Sequence, residues 1–107
     1  MAVAPSRGQV WLADVGLGEA KRFVIVSNNV RNRKLSDVLG VRLTTAPKPD
    51  LPSIVAFEPG EIADARSYAV ADDIWPLAKD GLARQVGAMT PKQMERVGRA
   101  IAAALDL

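Results

Sequence analysis

Only one stretch of this 107-residue chain keeps a helical period, and it lies at the very end. Thr90 suits an N-cap, Pro91 the first helical position, and Gln93 completes a capping box. Met94, Val97, Ile101, Ala104 and Leu105 then recur at three- and four-residue spacing, an apolar stripe that has to cover something. Everything before Thr90 is cut by glycine, proline and asparagine into apolar runs too short for helices of ordinary length. The fold therefore has to be assembled from short strands, with one helix laid over them.

Those runs are rich in β-branched and aromatic residues. Gln9 to Ala13 and Phe23 to Val26 read as a hairpin, joined by Asp14–Ala20 with its two glycines. That loop is no dinucleotide fingerprint, because a third glycine and a following helix are missing. Asn28 to Arg33 reads as a polar turn or a single helical turn. Val38 to Thr44 is a further strand, and the three prolines of Ala46–Pro52 make the next segment an exposed loop. Ser53 to Phe57 follows, then a turn at Glu58–Glu61. Ser67 to Val70 and Ile74 to Leu77 read as two weaker strands separated by a turn at Asp72-Asp73, and Leu82 to Val86 as one more. The expectation is a mainly β protein, an antiparallel barrel or half-closed sheet with a C-terminal helix, forming one domain over residues 1–107.

The chain has neither histidine nor cysteine. Thiolate nucleophiles, zinc–thiolate sites and the commonest general base are all excluded, so any catalysis must use Asp, Glu, Lys, Arg, Ser, Thr or Tyr. Neither metal nor cofactor is expected. Charge is uneven: residues 1–48 hold eight Lys/Arg against three acids, a net of +5, and the remainder six against nine, a net of −3. The basic half is suited to an anion. With no basic leader at the start and no window near the roughly 20 apolar residues of a membrane span, a soluble, cytoplasmic protein is expected.

Several segments, in order, resemble the MazF/PemK family of toxin ribonucleases. Arg7-Gly8-Gln9-Val10-Trp11 is similar to the family's opening Arg-Gly-Asp/Glu-Ile/Val-Trp, Val26-Ser27-Asn28 to its Val-Ser-Asn, and Val41-Arg42-Leu43-Thr44-Thr45 to its Val-x-Pro/Arg-Ile/Leu-Thr-Ser/Thr. Val70–Ile74, Lys79–Leu82 and Val86–Thr90 resemble its closing strand and helix entry, so the likeness runs from Arg7 to Leu107. It is greatest to an actinobacterial branch that shares Ser27-Asn28-Asn29 followed by Arg31-Asn32-Arg33. The resemblance implies an SH3-like barrel of the CcdB/PemK type, a homodimer, and a type II toxin that cuts single-stranded messenger, transfer or ribosomal RNA without metal. It also implies a cognate MazE-type antitoxin as partner.

By the same resemblance Thr44 matches a catalytic threonine, and Lys21 stands where most members carry a catalytic arginine, with Arg22 in the place of the proline that follows it. Either cation suits a phosphate: Lys21 as a point charge, Arg22 as a planar fork. Thr45, Asn28, Asn29, Arg31, Asn32, Arg33, Arg42 and Asp73 are candidate RNA contacts, although asparagine also suits turns and Asp73 also suits the turn pair. Gly81 stands where arginine is usual. Trp11 and Trp75 are expected to pack rather than to stack bases. Two rival functions belong to this fold: a gyrase-binding toxin that cuts nothing, and an RNA-binding member without catalysis. The first carries a C-terminal Trp-Gly-Ile, whereas this chain ends Leu105-Asp106-Leu107.

Overall fold

The computed structural model describes residues 4–107. Six strands form one antiparallel sheet: β1 (Gln9–Ala13), β2 (Lys21–Ile25), β3 (Asp37–Thr44), β4 (Ile54–Phe57), β5 (Ser67–Ala78) and β6 (Leu82–Ala88). Their order across the sheet is β4-β5-β3-β2-β1-β6. A six-residue helix, α1 (Asn29–Lys34), joins β2 to β3, a 3-10 turn over Lys79–Gly81 precedes β6, and α2 (Pro91–Leu105) ends the chain. The expected β architecture with its C-terminal helix is present in the open form, since the edge strands β4 and β6 do not pair with one another.

The central strands are continuous apolar runs because both of their faces are covered. Val10, Val24, Val41, Leu43, Val55, Phe57, Ala69 and Ala71 share one core with Met89, Val97 and Ala100. Trp11, Ala13, Phe23, Ile25, Val38 and Leu77 form a second core on the opposite face. Phe23, Val24 and Ile25 are wholly buried, and each such side chain contributes roughly 1.5–3 kcal/mol. Both tryptophans pack: Trp11 is 7% exposed, and Trp75 meets Phe23 edge-on at 6.0 Å.

α2 starts as its sequence dictates. Thr90 Oγ1 accepts from the Gln93 amide at 3.2 Å, while Gln93 Oε1 accepts from the Thr90 amide at 2.8 Å. Met94, Val97, Ala100, Ile101 and Ala104 are the residues that reach the core. Leu105 does not, being 57% exposed in the last turn before the left-handed cap at Asp106.

The two strands expected around Asp72-Asp73 are one twelve-residue strand, β5. Val41 faces Ile74 and Arg42 faces Val70, so residues 71–73 bulge out of register instead of turning the chain. Ser53 Oγ donates to Asp72 at 2.7 Å, and Asp73 accepts the Trp75 indole N–H at 2.6 Å. These side-chain bonds occupy a pair that would otherwise favour a turn.

Gly40 is where β3 is crossed most tightly. A Cβ there would lie 2.6 Å from Leu77 Cδ1 and 2.9 Å from Phe23 Cβ. Gly40→Ala is expected to destabilise the fold by about 1–3 kcal/mol, read as a lower urea midpoint at unchanged slope.

Candidate phosphate-binding groove

β2 begins, and β3 ends, at the same edge of the sheet. The ladder pairs Arg22 with Leu43 and Phe23 with Arg42. Continued by one residue, it sets Lys21 across from Thr44. Side chains alternate along strands, so Lys21, Arg42 and Thr44 share one face, and Arg22, Leu43 and Thr45 the other. A groove of about 600 Å³ opens here. Lys21, Arg22, Arg42, Thr44 and Thr45 all line it, drawn from both faces because it runs across the strand ends. Its apolar lining includes Val10, Leu43, Ile62 and Val86.

The cations differ in their partners. Lys21 Nζ lies 2.7 Å from Glu19 Oε1 in an exposed ion pair. That hydrogen bond and charge hold the Glu19 carboxyl below the ordinary carboxylate range. Arg22 is exposed at the strand start. Arg42 Nε is buried and has no hydrogen-bond partner. Thr44 Oγ1 accepts from the Ala46 amide at 3.1 Å, an ST-type turn that leaves the hydroxyl proton free to donate.

The α1 candidates stand apart from this groove. α1 links the far end of β2 to the start of β3, roughly 13 Å along the strands from Lys21. Asn28 caps the helix, its Oδ1 accepting from the Arg31 amide at 2.8 Å. Asn29 Oδ1 accepts from the Arg7 amide at 2.7 Å, and Arg31 pairs with Asp37 at 2.8 Å. Arg33 is exposed.

Asn32 is wholly buried, which corrects its reading as an RNA contact. Its amide donates to the Ser27 carbonyl at 2.9 Å, and its Oδ1 accepts from Ser27 Oγ at 2.5 Å. Ser27 Oγ in turn accepts from the Leu39 amide at 2.9 Å, tying α1 to β3. Ser27 and Asn32 thus form a buried polar network, and such groups are satisfied internally because an unmade bond costs about 1–3 kcal/mol. Asp73 is likewise outside the groove, with its carboxylate spent on Trp75.

The opposite wall went unread in the sequence. Ile62, Ala63, Asp64, Ala65 and Ser67 line it, and Asp64 is the one carboxylate among the lining residues. Residues 58–66 are pinned from three sides. The Glu61 amide donates to the Glu58 carbonyl at 3.0 Å, Arg66 pairs with Glu58, and Gln93 of α2 donates to the Glu61 carbonyl at 3.3 Å. Arg96 reaches Glu61 at 3.3 Å and donates to the Ala56 carbonyl at 2.6 Å, with its guanidinium 4.6 Å above the Phe57 ring. No local pattern announces a loop held by a helix some thirty residues later.

Cations and hydroxyls gathered across the strand ends of a small antiparallel sheet define a β-fold protein equipped to hold phosphate esters. The model of PemK-like, MazF-like toxins of type II toxin–antitoxin systems matches residues 6–105, and the chain belongs to that family. It is 45% identical over 104 residues to Endoribonuclease MazF1 of Mycobacterium bovis and to Endoribonuclease MazF4 of Mycobacterium tuberculosis, covering 97% of this chain and 95% of each relative. A solved mycobacterial endoribonuclease in complex with its cognate antitoxin superposes with a TM-score of 0.86 at 45% identity, over 97% of both chains.

Two outcomes are expected. Asn32→Ala should cost about 1–3 kcal/mol in chemical denaturation, whereas Arg33→Ala should stay within about 0.5 kcal/mol. An NMR titration should find the Glu19 midpoint below that of an unpaired glutamate, and Lys21→Ala should raise it. Sign follows from the direction: because the folded-state value is lowered, the ion pair persists through neutral pH and is lost as pH falls through that value.

Proposed function

We propose that the groove at the β2–β3 strand ends is where this toxin, an endoribonuclease, cuts single-stranded RNA. One observation carries the reading: the ladder register, continued one residue past Arg22 and Leu43, sets Lys21 across from Thr44 on the face of Arg42, and all three line a single groove. Lys21 and Thr44 are then the pair that meets the scissile phosphate, with Arg22 and Thr45 contacting the RNA from the other face.

The chemistry suits a chain without histidine. The ribose 2′-oxygen attacks the adjacent phosphorus, so a 2′-O–P bond forms and the P–O5′ bond breaks. The 2′-OH proton leaves to a base and another proton is delivered to the departing 5′-oxygen. The products are a 2′,3′-cyclic phosphate and a 5′-hydroxyl. Negative charge accumulates on the non-bridging oxygens, where the Lys21 ammonium and the Thr44 hydroxyl stabilise it as preorganised donors. No step draws on a metal. The apolar lining and Asp64 provide for selectivity between bases, whose amino groups and π-faces single-stranded RNA leaves exposed.

The same reading extends to partners. The groove is basic, with an apolar floor, and suits the extended acidic and apolar segment of a MazE-type antitoxin. We further read residues 1–107 as one toxin domain that works as a homodimer in the cytoplasm, on messenger, transfer or ribosomal RNA. No helix of the described residues is long and apolar enough to cross a membrane.

The decisive experiment incubates the purified protein with a long RNA in excess EDTA and maps the new ends. Discrete cuts bearing cyclic phosphates are expected, with Thr44→Ala and Lys21→Ala slowed by about 100- to 1,000-fold and Arg22→Ala less affected. Intact RNA, in cells still arrested by the wild-type toxin, would replace this reading with a protein-binding one.

A further inference from the structure

We propose that Arg42 is a catalytic residue of this groove, its guanidinium holding the scissile phosphate, rather than an outer contact to the RNA backbone. This rests on the RNA-cleaving reading of the same groove.

Arg42 lies inside the sheet, not at its rim. Its strand neighbours are Phe23 on β2 and Val70 on β5. It is two residues before Thr44, so both side chains leave β3 on the same face, across from Lys21. Among the described residues its Nε is the one buried side-chain polar atom without a hydrogen-bond partner. No ion pair or side-chain hydrogen bond among the described residues involves Arg42, whereas Arg31, Arg66 and Arg96 each hold a carboxylate. Lys21 is itself engaged by Glu19. Buried donors are almost always satisfied, and one left open in a groove is accounted for by an acceptor that arrives with the ligand. Arg22 lacks both features, since it is exposed and on the other face.

The reaction calls for such a group. As the 2′-oxygen adds, the two non-bridging oxygens gain charge together. A guanidinium presents Nε–H and Nη–H as a parallel fork matched to two such oxygens, which a lysine ammonium cannot do. Arg42 serves here as a hydrogen-bond donor and transfers no proton. Its hydrogen bonds strengthen as charge develops, so its contribution falls on the chemical step and not on binding. With lysine at position 21, Arg42 supplies the planar donor pair on the face shared with Thr44.

The test compares Arg42→Met and Arg42→Lys with wild type. Single-turnover cleavage is measured at saturating RNA oligonucleotide, and affinity separately with the same oligonucleotide carrying a 2′-deoxyribose at the cut site. Arg42→Met is expected to lose about 100-fold or more in the single-turnover rate, with a far smaller change in affinity. Its melting temperature should be unchanged or higher, because methionine fills the space without the orphaned donor. Arg42→Lys should also lose rate, having charge but no fork. Cleavage by Arg42→Met at the wild-type rate, or a loss confined to affinity, would overturn the assignment. Should Arg42→Met fail to fold, Arg42→Lys decides, and an undiminished rate there overturns it. RNA left intact by wild-type protein is a different failure, since it removes the ribonuclease reading and this assignment together.

Discussion

The β2–β3 ladder is the constraint on which the rest of the molecule depends. Beyond Lys21 and Arg22, β2 is apolar on both faces, with Phe23, Val24 and Ile25 all at zero exposure, so polarity along this inner stretch cannot choose its register. Volume chooses it instead. Gly40 leaves the space that Leu77 and Phe23 occupy, and a slip of one residue would bring a side chain into that space. The same register that closes this packing is what brings Lys21, Arg42 and Thr44 onto one face at the open end of the ladder. Core and groove are consequences of one pairing.

The far wall has a different origin. Residues 58–66 have little core of their own and are held by α2 through Gln93 and Arg96, which also caps the Phe57 ring. α2 thus covers the first core with its apolar stripe and fixes one side of the groove with its polar edge. Charged contacts at this exposure contribute modestly one by one. Together with the stacking on Phe57, they give the loop a defined position relative to the strands opposite.

Local signals in the sequence described local structure well. The Thr90 capping box, the β1–β2 hairpin and the proline-rich 46–52 loop are each written in neighbouring residues, and each is present. Five candidate residues that meet in the groove were legible because two strands present them at their ends. What failed were signals with two physical meanings. Asn32 has the side chain of an RNA contact and of a buried hydrogen-bond hub, and only the fold decides between them. Asp72-Asp73 has the composition of a turn, but pairing across Val41 and Arg42 made it a bulge. Asp64 and its loop left no signal, since their position depends on contacts with a helix distant in sequence.

The make-up of the groove has a consequence for control. Its lining offers cations, hydroxyls, apolar side chains and a single carboxylate, and the whole chain lacks histidine and cysteine. Histidine is the side chain whose ordinary titration falls between pH 5 and 8, and cysteine is the one that senses the thiol redox state. A cell has neither lever on this site. Under the proposed occupancy of the groove by an antitoxin, what remains is stoichiometry: the ratio of occupant to toxin, not the chemistry of the surrounding fluid, sets how much of the groove is open.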